Sequence, residues 1–115
     1  MQYERALRLL RLADEAPGSA HSASSEVHAL QLALRLNGAA CALRAEKYEH
    51  ALAQADAALA LSPNSTKAMH RRGQALQSLG RADEAAAAYS AVLDAEPASR
   101  EAHSKLAEVR ATRKP

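Results

Sequence analysis

Tyr3, Ala6, Leu7, Leu10 and Ala13 follow one another in steps of three and one, and Tyr48, Ala51, Leu52, Ala55 and Ala58 repeat the same steps. Residues three and four apart share one face of a helix, so each set reads as the apolar stripe of an amphipathic helix. Extended along the chain, the pattern predicts helices over residues 2–14, 25–44, 47–61, 65–79, 82–95 and 98–112. Pro63 and Pro97 close two of them, since proline lacks the amide a helix interior needs. The run from Pro17 to Ser25 is rich in Pro, Gly and Ser and predicts a loop, with Ser24 or Ser25 capping the helix that follows.

Composition agrees with the periodicity. Apolar residues make up 48% of the 115, but Ala supplies 30 and Leu 16, while Val, Tyr and Thr together give 8 and Ile, Phe and Trp are absent. A sheet draws on β-branched and aromatic side chains, and Ala and Leu lose little freedom in a helix. The expected fold is all-α, in a single domain spanning residues 1–115.

The helices come in repeating pairs. Ala51 matches Ala85, Leu59 matches Leu93 and Pro63 matches Pro97, each at a period of 34. Met69, Arg72, Gly73, Leu76, Ala85, Tyr89 and Pro97 stand at the spacing of a tetratricopeptide repeat, which the sequence resembles, with Met69 and Arg72 replacing two core residues. The resemblance implies a right-handed superhelix of antiparallel hairpins. Its parts are the second helix of a truncated first repeat at 1–16, repeats at 32–65 and 66–99, and a capping helix at 100–112 whose outer face Lys105 and Glu108 keep wet. The step from Tyr3 to Tyr48 exceeds the period by 11, so an insertion lies before the second unit. The leucines of residues 2–14, lacking a front partner, point to self-association.

Several functions fall away. No apolar run approaches the length of a membrane span, about 20 residues, the first residues lack a signal-peptide core, and a cytoplasmic location is expected. A net charge of +2 is small for a nucleic-acid footprint. Cys41 is expected as a small core residue, the five histidines lack metal-site spacing, and no acid, base and nucleophile group suggests an enzyme or a cofactor.

In a stacked array the first helices of the hairpins line a concave groove. Register places Asn37, Arg44, Lys67, His70, Arg71 and Gln74 on it. Lys67 and Arg71 lie one turn apart and suit a carboxylate, Lys as a point charge and Arg as a planar fork. The segments from Leu36 to Arg44 and from Lys67 to Gly73 resemble the tetratricopeptide domains of immunophilin-type peptidyl-prolyl isomerase co-chaperones. That resemblance implies docking of the acidic C-terminal tail, Glu-Glu-Val-Asp, of a ninety- or seventy-kilodalton heat-shock chaperone. Of the family's five-residue carboxylate clamp it supplies three positions, Asn37, Lys67 and Arg71; the other two belong to a helix ahead of Met1. His70 departs from the large or aromatic residue usual at its place. An isomerase domain, if the protein has one, precedes Met1. The competing expectation is a structural array that stacks on its own kind or another scaffold without a clamp.

Overall fold

The computed structural model describes residues 21–112, which form five helices in chain order: α1 (His21–Arg44), α2 (Tyr48–Leu61), α3 (Thr66–Ser78), α4 (Ala82–Ala95) and α5 (Arg100–Thr112). Among the described residues there is no strand. The helix predicted at 2–14, and with it the apolar face expected to associate, lies outside the described residues. Each helix packs on the next, and α1 also touches α3, so successive hairpins stack into an all-α superhelix.

The period is visible in the atoms. Ser65 Oγ accepts the amide of Ala68 at 3.2 Å at the start of α3, and Ser99 Oγ accepts that of Ala102 at 3.3 Å at the start of α5. The turns inside the hairpins match as well. Lys47 N donates to Ala42 O at 2.8 Å and Glu46 N to Leu43 O at 3.1 Å; one period on, Arg81 N donates to Leu76 O at 2.9 Å and Gly80 N to Gln77 O at 3.1 Å. This pairing of bonds satisfies the last carbonyls of a helix and requires one left-handed residue. Glu46 takes that place with φ 59°, and Gly80 with φ 78°.

Small side chains let the helices approach closely. Ala39, Ala51, Ala55, Ala58, Ala68, Ala75, Ala85 and Ala102 are all fully buried, and Tyr89, Leu76 and Val109 are the largest side chains sealed inside. Ala51 and Ala85 therefore occupy the crossings their register predicts. Arg72, standing at a position usually apolar, turns to the surface, where its Nε donates to Asp56 Oδ1 at 2.7 Å and ties α3 to α2.

Two expectations need correction. Residues 21–25 belong to α1, so the predicted loop does not extend through them and neither Ser24 nor Ser25 caps the helix. Serine is only mildly unfavourable within a helix, and the Ala and Leu that follow carry the helical signal past it. Cys41 is exposed, because α1 turns Ala39 and Ala42 toward the core. Lys105, half-buried, reaches Glu108 at 3.5 Å and lines a groove with Leu43, Tyr48 and Gln74.

Candidate functional site: a groove with two charged walls

Ser65 fixes the start of α3, and from that start Lys67, His70, Arg71 and Gln74 fall on successive turns of one face. All four line a single open cavity of about 540 Å³. Asn37 and Arg44, both exposed on α1, do not line it. Four of the six predicted positions are thus brought together.

Lys67 and Arg71 have no carboxylate partner among the described residues, although other cations of the chain do: Arg72 with Asp56, and Arg81 with Glu84 at 2.7 Å. Unpaired cations on a groove wall are free to meet an incoming anion.

The other wall is acidic, and helical periodicity alone does not single it out. Glu96, just past α4, and Glu101, in the first turn of α5, line the same cavity. Thr66 Oγ1 donates to Glu96 Oε1 at 3.0 Å, which joins the start of α3 to the end of α4. His70 Nε2 lies 3.1 Å from Glu101 Oε1, within ion-pair reach but without the geometry of a hydrogen bond, and this buried nitrogen has no other partner. A signal for this wall exists in the register, since Glu101 stands one period after Lys67 and Lys105 one period after Arg71. Gln74 borders both this cavity and a second one of about 360 Å³, where Lys105 sits.

Behind the site, Tyr89 packs against the wall. Its ring is fully buried and meets His70 edge to face at 5.4 Å, and its hydroxyl donates to Gln77 Oε1 at 3.0 Å. Burial, with a smaller contribution from the carboxylates of Glu108 and Glu101, pushes the phenol well above its ordinary range, so the ring stays neutral. Among the described residues no group of three or more His, Cys, Asp or Glu could hold a metal ion, and no helix is long and apolar enough to cross a membrane.

Known proteins share this fold. The family described as Tetratricopeptide repeat matches residues 39–100 and 70–114. The peptidyl-prolyl cis-trans isomerase FKBP4 of Mus musculus is 37% identical over 82 residues, 71% of this chain and 18% of FKBP4. Serine/threonine-protein phosphatase T of Trypanosoma brucei brucei is 40% identical over 70 residues, 61% of this chain and 15% of the phosphatase. The chain therefore spans less than a fifth of these relatives. Among solved structures, the C-terminal domain of a Plasmodium falciparum FK506-binding protein superposes with a TM-score of 0.81 at 19% identity, covering 96% of this chain and 72% of that one. The second such domain of human RPAP3, solved with the HSP70 peptide SGPTIEEVD, superposes at 0.68 with 29% identity, covering 77% of each chain. The first domain of Spaghetti (RPAP3), bound to the HSP90 peptide SRMEEVD, superposes at 0.71 with 26% identity, covering 96% of this chain and 94% of that one. With the family's repeats matched over most of its length, the chain belongs to the tetratricopeptide repeat family and is similar to the repeat domains of immunophilin-type co-chaperones.

Proposed function

We propose that this domain docks the free C-terminal carboxylate of a heat-shock chaperone tail, with Lys67 and Arg71 as its principal grip and Asn37 as an amide donor from the neighbouring helix. The observation that carries the reading is the pair of unpaired cations one turn apart on a groove wall. Two RPAP3 domains of the same fold, at 29% and 26% identity, hold chaperone peptides that end in Glu-Glu-Val-Asp, which supports the same class of partner here. Docking is the chemistry such an open groove offers, because it presents charge and shape to an extended peptide.

A carboxylate gripped by Lys and Arg gains charge-assisted bonds worth about 1.5 to 3 kcal/mol each. Lys67 is exposed and Arg71 half-buried, so both are accessible before the ligand arrives. The test is an NMR titration with SRMEEVD, free and amidated at its C-terminus. Shifts that cluster on α3 with the free peptide and vanish with the amidated one support the reading. Identical shifts with both leave a structural array as the better account.

A further inference from the structure

The groove carries opposite charges on its two walls, and that asymmetry gives a ligand a direction. Lys67 and Arg71 stand on α3, while Glu96 and Glu101 close the α5 side of the same cavity. Resting on the carboxylate-docking reading above, we propose that Glu96 and Glu101 form a specificity subsite for a basic side chain upstream of the terminal carboxylate. The domain then prefers tails of the SRMEEVD kind, which carry an arginine, over tails of the SGPTIEEVD kind, which carry no cation.

Distance fits the assignment. In SRMEEVD the arginine precedes the terminal residue by five positions, about 17 Å of extended chain at roughly 3.3 Å per residue. His70 of α3 approaches Glu101 of α5 to 3.1 Å, so that length of tail is enough to cross the face of α3 and reach α5. A carboxylate gripped by Lys67 and Arg71 therefore leaves that arginine within reach of α5. Charge order fits too. The acidic residues of the tail pass the cations of α3 first, and the base arrives at the acids.

Both carboxylates keep capacity for it. Glu96 accepts from Thr66 through one oxygen, and Glu101 approaches His70 through one, whereas a carboxylate offers about four acceptor positions. The side chain of Glu101 is 68% exposed, so a guanidinium reaches it without displacing packed atoms. The same wall repels an acidic residue placed there, which supplies discrimination as well as attraction.

The experiment is calorimetry on the full chain at low salt with four peptides: SRMEEVD, SAMEEVD, SGPTIEEVD and amidated SRMEEVD. The same set is repeated with the double variant Glu96→Gln/Glu101→Gln, in which glutamine preserves size and hydrogen bonding at both positions. SRMEEVD is expected to bind about twofold to fivefold more tightly than SAMEEVD, the range of an exposed ion pair, and the double variant is expected to bring that ratio near one. Equal affinity for SRMEEVD and SAMEEVD, with amidation still abolishing binding, overturns the subsite and leaves carboxylate docking standing. An arginine preference that survives the double variant overturns the assignment to Glu96 and Glu101. Insensitivity to amidation, or no binding by any of the peptides, overturns the docking reading and the subsite with it.

Discussion

A β-carbon on Gly73 would stand 2.8 Å from Cε1 of Tyr89, closer than packed atoms tolerate. The tyrosine ring fills the space a side chain on α3 would take, and the neighbouring repeat solves the same contact differently. At the matching register it has Ala39 and Ala55, both fully buried, a small residue on each helix in place of glycine against an aromatic. Gly73→Ala is expected to destabilise the fold by about 1 to 3 kcal/mol, the cost of overpacking. In a Tyr89→Ala background the same change should cost much less, and chemical denaturation of the four proteins measures the coupling.

Tyr89 is also expected to weaken the fold at alkaline pH. Its phenol ionises less readily folded than unfolded, because burial and the carboxylates of Glu108 and Glu101 oppose the phenolate. Below pH 10, the ordinary value, the contribution is fully present; above it the unfolded chain releases the proton and the folded one does not, so stability falls as pH rises. The expected slope is about 1.4 kcal/mol per pH unit from this group. Tyr89→Phe should flatten that part of the profile, and a slope unchanged by the substitution would contradict it.

Glu46 and Gly80 occupy equivalent turns at φ 59° and 78°, but only one of them is glycine. Left-handed backbone costs a residue with a β-carbon about 1 to 2 kcal/mol, partly offset by the chain entropy glycine loses on folding. Glu46→Gly is expected to stabilise the domain by about 0.5 to 1 kcal/mol, the net of those two effects. Gly80→Ala should destabilise it through backbone strain alone, since nothing lies within 4 Å of an added β-carbon. Thermal melts of both variants check the signs.

The hairpins are legible in the sequence because spacing alone places Ala51, Ala85, Pro63 and Pro97 at their crossings and ends. Periodicity also puts Lys67 and Arg71 on one face, since four residues make about one turn. It is less informative where several helices decide the outcome. Residues 21–25 read as loop from their serines, but helix continues through them. Glu96 belongs to no helix stripe, and only the closing of α4 onto α3 carries it to Thr66.

The central claim is that Lys67 and Arg71 bind a terminal carboxylate, and the most direct measurement is calorimetric titration of the wild type, Lys67→Ala and Arg71→Ala with SRMEEVD, free and amidated. Each substitution removes a charge-assisted bond and should weaken binding of the free peptide about tenfold to a hundredfold, with the fold intact by circular dichroism. Asn37→Ala should cost less and respond less to salt, because its amide is neutral. The account predicts that amidating the peptide mimics the loss of either cation. Affinity that ignores both amidation and Arg71→Ala would contradict it.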